Sequence, residues 1–502
     1  AKKLAFALNA IGNKDTVKPV VALIDSGKVP KENVHGLYLL LAQIGGPEEL
    51  KKVLHYAALG KDKSLQQSAE LLQAVEAAIR TRKVAPPREL GNPLRFSLDD
   101  TGAAAQSAMR IIGLWKLDEY RRGVLEKEAA TTTDAAQRAA AMEGLALFGD
   151  ERARQYIKAL CSDPKPEIRR AAITAFASLD LPAAAAMAAE FLTSAKPEPE
   201  LLDLFSAFLS RKAGIPPLAK ALAAKKLDRE VAKIGVKAAR ASGQKADDLV
   251  AALTKAGNLA AARKPPTAEE VKALVAEVTK ADAARGELVY RRADLKCLTC
   301  HAIGGAGGVV GPDMTSIGAS AQTDYLVESL LIPSKAIKEG FHATRVVTAD
   351  EKVYLGIKVR EADGVLVLRT AEDKEVTIPV KDIAERPQAT TSLMPEGLTE
   401  QLTQQEFADL VAFLSQLGKV GTPYAPNKAR LVRRWQVIEP SRENLYRFQR
   451  TRVSAAAEPE NPFTWSPVYS MVSGDLPVAS LPKFTVWNDT AAQSVVRFQL
   501  DV

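Results

Sequence analysis

Cys297-Leu298-Thr299-Cys300-His301 sets two thiols three positions apart with a histidine directly after them, which is what covalent haem attachment requires. Each thiol can add across one vinyl group of a porphyrin, while His301 reaches the iron from the proximal face. The same residue types also suit a redox thiol pair or half of a zinc site. A redox pair belongs at a helix start within a βαβ pattern, and no such pattern surrounds this one. A structural zinc site takes about four ligands. The remaining cysteine is Cys161, and the remaining histidines are His35, His55 and His342, scattered along the chain. The motif therefore reads as the attachment point of one covalent haem c, and no catalytic residue is assigned.

The flanks supply what such a motif needs. Upstream, Asp282-Ala-Ala-Arg-Gly286-Glu-Leu-Val-Tyr290 reads as an amphipathic helix capped by Asp282. Downstream runs Gly304-Gly305-Ala-Gly307-Gly308-Val-Val-Gly311-Pro312-Asp313, where glycines let the backbone lie close to a flat ligand and take positive φ. A phosphate-cradling loop is excluded by the lack of a Gly-Lys-Ser/Thr ending. Pro312 is positioned to offer its carbonyl region to the far ring nitrogen of His301.

For the sixth iron ligand the residues alone leave alternatives. Met394, in Ser392-Leu-Met-Pro-Glu-Gly-Leu398, offers a soft thioether held by the proline after it. His342 would instead make a bis-histidine haem, and Met314 reads as core. Beyond Met394, Thr403-Gln-Gln-Glu406 is a capping box opening a helix whose apolar side is Phe407, Leu410, Val411, Phe413, Leu414 and Leu417.

In combination, Arg285-Gly286, Cys297 to His301, Gly311-Pro312-Asp313 and Ser392 to Leu398 resemble the haem-binding domain of Planctomycetes- and Verrucomicrobia-type cytochrome c proteins. The resemblance covers residues 281–418 and implies His301 and Met394 as axial ligands. It also implies an insertion between haem motif and distal methionine. Where that family usually has leucine, this chain has Met314. Members are often fusions in which a β-propeller resembling sugar or alcohol dehydrogenases precedes HEAT-like repeats and the haem domain. The resemblance thus implies an extracytoplasmic, for instance periplasmic, electron-transfer module serving a dehydrogenase domain or a redox protein partner. A haem peroxidase, and a haem-containing interaction scaffold or sensor, are the competing classes.

The insertion is legible without the family. Thr344–Thr348, Val353–Val359, Val365–Thr370 and Glu375–Val380 alternate as strands, and Ala349-Asp350, Ala362-Asp363-Gly364 and Glu372-Asp373 between them are turn chemistry. A small β-barrel or rolled sheet over 341–386 is expected.

Residues 1–262 are rich in Ala, Leu and Lys. Aligning Ala108, Ala139 and Ala171 gives steps of 31 and 32, the length of a helix pair, so the expectation is a HEAT-like α-solenoid. It holds no evident chemistry: His35, His55 and Cys161 read as packing residues. Residues 428–502 crowd Trp435, Tyr446, Phe448, Phe463, Trp465, Tyr469, Phe484, Trp487 and Phe498 among Val, Ser and Pro, which predicts a β-rich domain, cut off before its end. Seven arginines (Arg430, Arg433, Arg434, Arg442, Arg447, Arg450 and Arg452) make its start basic. Nucleic acid is not the expected partner, because haem c is attached outside the cytoplasm.

The expected fold class is thus multidomain: α-solenoid, α-helical cytochrome c domain (281–418) with its β insertion, then the β-rich domain. At 502 residues the chain exceeds a single core, and 68 basic against 60 acidic side chains leave +8, a mild excess favouring acidic partners only weakly. No apolar run approaches the length of about 18 residues that spans a membrane. Ala1-Lys-Lys-Leu-Ala-Phe has no signal-peptide pattern, so a leader and an N-terminal portion are expected ahead of it. Residues 281–418 are expected to carry electron transfer independently of the repeats.

Overall fold

The computed structural model describes residues 16–59, 65–98, 102–260, 265–362, 364–387, 391–425, 431–451, 453–457, 463–483, 485 and 493–498. Asp363, Arg430, Arg452, Phe484 and Trp487 lie outside them. The chain divides into two compact units, one running to Ala260 and including Asp350–Val353, the other comprising the rest. No described helix is long and apolar enough to cross a membrane.

The first unit is built of helix pairs. Ala103–Trp115, Ala135–Phe148, Pro166–Phe176, Leu201–Leu209 and Arg229–Ala241 stack as successive neighbours in one row. Leu181–Leu192, Ile215–Leu222 and Asp247–Ala256 stack in a second. Aspartates start many of these helices. Asp134, Asp150, Asp180 and Asp228 each accept a first-turn amide, from Gln137, Ala153, Ala183 and Val231 respectively.

The repeat register differs from the sequence alignment by one residue. Ala139 is exposed and Ala171 half-buried, whereas Ala108, Ala140, Ala172 and Leu204 are at most 1% exposed, in steps of 32. In a run such as Ala139-Ala140-Ala141 no side chain marks which position faces inward. The first two stacked helices approach so closely at Gly113 that a methyl there would run into the Gly144 carbonyl. His35 Nε2 pairs with Glu70 at 2.9 Å, His55 Nδ1 donates to the Lys51 carbonyl at 2.9 Å, and Cys161 is buried, its thiol pushed up to about 12.

In the second unit Ala283–Tyr290 crosses Gln404–Gln416 at Gly286, where any side chain would collide with the Asp409 carbonyl. The Asp409 carboxylate accepts from the Asp282 amide at 2.7 Å, from Arg285 Nε and Nη2 at 2.8 and 3.1 Å, and from Gln405 at 2.9 Å. Phe413 packs between Tyr290 and Tyr424, with ring centroids 5.6 and 5.1 Å away. Tyr424 thus ties the segment after Gly418 onto this helix. The capping box at Thr403 forms, Glu406 Oε2 accepting from the Thr403 amide at 2.8 Å and Thr403 Oγ1 from the Glu406 amide at 3.2 Å.

Between these helices lie β1 (Ala343–Thr348), β2 (Val353–Ala362), β3 (Val365–Arg369), β4 (Glu375–Pro379) and β5 (Ile383–Glu385). They form one sheet in the order β4-β3-β2-β1-β5. Val346, Leu366, Leu368 and Ile378 are its core. This order has two ends, so of the two expected forms, barrel or rolled sheet, the insertion is not the closed barrel. Its edges are β4 and β5, and β5 is only three residues long, too short to carry a ladder round to β4.

The C-terminal stretch departs further from expectation. β6 (Arg434–Ile438), β7 (Trp465–Tyr469) and β8 (Val496–Arg497) make a three-stranded sheet in the order β7-β6-β8, but Arg442–Thr451 is a helix carrying Tyr446 and Phe448. Its start signal is Ser441, whose hydroxyl accepts from the Asn444 amide at 3.1 Å. Phe448 faces Phe463 at 6.0 Å across that small core.

Candidate cofactor site

The Cys297–Cys300 segment is a single helical turn, entered through Lys296 in the left-handed conformation (φ 55°). Both thiols are unpaired and half-buried. Burial pushes the Cys297 thiol up to about 12. Burial also raises Cys300, opposed by the charge of Lys296 and helped by Asp373 and Glu372 of the β3–β4 turn. A redox-active pair needs the opposite, a lowered thiol that ionises near neutrality.

The hydrogen bond expected between His301 and Pro312 is present: Nδ1 and the Pro312 carbonyl oxygen are 2.8 Å apart. A carbonyl only accepts, so the proton sits on Nδ1 and Nε2 keeps its lone pair. Burial lowers the pKa of the ring, which favours its neutral form. Gly311 lies against the imidazole so closely that a methyl there would overlap the ring. The loop is knitted to the motif by main-chain bonds: Gly308 N to the Leu298 carbonyl at 3.0 Å, Gly311 N to Cys300 at 2.8 Å and Met314 N to Ala302 at 2.8 Å. Gly307, at φ 125°, could not be another residue without strain.

Met394 is half-buried and packs against the apolar core that also receives Cys297, Leu298 and Met314. Its amide donates to Ser392 Oγ at 3.1 Å. His342 is exposed and pairs through its main chain with Ser392. Of the two sixth-ligand candidates, only the methionine is directed into the core beside the motif.

For a haem, these residues fit: two free thiols one turn apart, an imidazole with a free, oriented Nε2, and a thioether against the same core. Among the described residues no group of three or more His, Cys, Asp or Glu side chains converges on a metal position, whereas a haem brings its own four nitrogen ligands.

Several residues at the site had no sequence signal. Tyr290 donates its hydroxyl to the His301 carbonyl at 3.1 Å. Glu287 and Arg291, paired at 2.9 Å and almost wholly buried, bind the turn after β7: Arg291 donates to the Tyr469 and Ser470 carbonyls at 3.1 and 2.7 Å, and Glu287 accepts from the Val472 amide at 2.8 Å. Arg434 donates to the Gly305 and Gly307 carbonyls at 2.9 and 3.1 Å. The arginines of the C-terminal stretch were visible in sequence; their reach to this loop was not.

Residues 124–200 match the HEAT repeats family, so the helix pairs of that stretch are HEAT-like. No curated protein matches the chain.

Proposed function

We propose that the chain is a c-type cytochrome that carries one haem covalently through Cys297 and Cys300, with His301 and Met394 as axial ligands. The observation that carries this reading is the His301–Pro312 hydrogen bond, which orients the imidazole and frees Nε2 immediately after two unpaired thiols. When bound, the haem supplies a one-electron couple. The chain's residues do the rest: the thiols fasten the group, Pro312 fixes the imidazole tautomer, the thioether favours the reduced state, and the Phe407–Leu417 face excludes water. The electrons come from a dehydrogenase domain or redox protein partner, outside the cytoplasm, and the HEAT-like unit serves as the binding scaffold.

Acid-acetone treatment of protein matured with haem should leave the colour on the polypeptide, and Cys297→Ala with Cys300→Ala should release it. Met394→Ala should give a high-spin ferric iron and a lower potential while His342→Ala leaves the spectrum unchanged. Free haem extracted from the unaltered chain ends the reading, and the reverse result for the two ligand variants makes this a bis-histidine haem.

A further inference from the structure

The C-terminal segment touches the site from a side that the motif does not itself provide. Arg434, at the start of β6, reaches two carbonyls of the loop between His301 and Pro312. Its neighbour Arg433 lies over Gly304 and donates to the Met471 and Val472 carbonyls at 3.3 Å. The turn that holds Arg433 is itself anchored to the Ala283–Tyr290 helix by Glu287 and Arg291, a pair only 5% and 12% exposed. Val472 also packs on the core that receives Cys297 and Met394. The bonds of Arg434 to the loop, and of Glu287 and Arg291 to the turn, bridge 127 to 185 residues of chain. They are out of proportion for two separate domains.

We propose that β6 and the turn after β7 form the outer wall of the cofactor site, Arg434 being a positioning residue. It clamps residues 305–307 and, through them, keeps Pro312 on His301. This deepens the haem reading and rests on it for the iron. The clamp itself is a property of the folded chain. The guanidinium fork reaches Gly305 through Nε and Gly307 through Nη2, so two carbonyls of one turn are held in fixed relation. A lysine would keep the charge and lose that geometry. One consequence is that residues 281–418 alone, expected from sequence to be self-sufficient, lack one wall of their site.

The test uses the full chain, matured with haem, carrying Arg434→Ala or Arg434→Lys. Arg434 is exposed at its strand end, so neither change threatens the core. Amide exchange across residues 304–308 should quicken about tenfold in both variants, the loss of about 1.4 kcal/mol of protection, and the midpoint potential should shift in both. Restoration of slow exchange and potential by lysine would show that charge, not the fork, matters, and would overturn the clamp. So would unchanged exchange in both variants, or faster exchange with an unmoved potential. If the unaltered chain binds no haem, the haem reading fails by that fact, and exchange in the haem-free protein decides the clamp alone.

Discussion

The two units of this chain solve the problem of a core in opposite ways. In the repeats each helix packs on its sequence neighbours, and one pattern of small and large side chains, recurring at Ala108, Ala140, Ala172 and Leu204, is enough. In the second unit the decisive contacts join distant segments: Asp282 to Asp409, Arg291 to Tyr469, Arg434 to Gly305. A periodic core can be lengthened or lost one repeat at a time. An aperiodic one, closed by long-range bonds, can hold a chain of donors and acceptors around a single imidazole, and it stands or falls as a whole.

The largest effect that would test this contrast lies in the repeats. Phe205 is fully buried and abuts Gly235 of the next stacked helix. Phe205→Ala should cost about 4 kcal/mol. Amide exchange should accelerate in Leu201–Leu209 and the helices stacked on it, while Ala103–Trp115 stays protected. Uniform loss of protection across the whole unit would remove the distinction.

In the second unit the matching change is Asp409→Ala. The carboxylate is 3% exposed while its partner Arg285 is 56% exposed, so the stranded guanidinium can hydrate and the cost is about 2 kcal/mol, below that of breaking a fully buried pair. Here protection should fall together in Ala283–Tyr290 and Gln404–Gln416. Burial alone would raise the Asp409 pKa, but bonds from Arg285, the Asp282 amide and Gln405 outweigh it and hold it below the ordinary carboxylate range. The unfolded group titrates near pH 4, about its ordinary value. The stabilisation is therefore complete above that pH and is lost as pH falls through the lower folded value. Asp409→Asn should flatten the acid limb of a denaturation profile; an unchanged limb would show that Asp409 is not the acid-labile latch.

What could be read from sequence follows the same division. Local signals were legible: the caps at Asp282 and Thr403, four of the five strands of the inserted sheet, and the bond from His301 to a carbonyl eleven residues on. All act within a few turns of chain. The repeat length was legible but its register was off by one, because consecutive alanines do not show which of them faces inward. The helix at Arg442–Thr451 was missed because aromatic content outweighed Ser441 as a start signal. Glu287, Arg291 and Arg434 bind main-chain carbonyls and amides, which every residue has, so no residue type at the far end betrays the contact.

The smallest effect sharpens the comparison most directly, because the same backbone feature, a left-handed lysine at a helix end, occurs in both units. Lys116 ends the Ala103–Trp115 helix and Lys296 begins the Cys297–Cys300 turn, both exposed and both left-handed, at φ 53° and 55°. A side chain in that conformation costs roughly 1–2 kcal/mol, of which glycine's greater unfolded freedom takes back roughly 0.5–1. Each Lys→Gly change should thus stabilise its unit by about 0.5–1 kcal/mol. The main-chain bonds survive in both: the Lys116 amide still donates to the Gly113 carbonyl at 3.1 Å, and the Lys296 carbonyl still accepts from Thr299 at 3.1 Å. Lys116 has nothing further to do than end a helix, so its gain should appear in full in denaturant unfolding. Equal gains would mean that Lys296, too, is only a helix boundary. A gain at Lys116 with a loss at Lys296→Gly would mean that the approach to the two thiols needs a stiff residue, and that strain there belongs to the site and not merely to the turn.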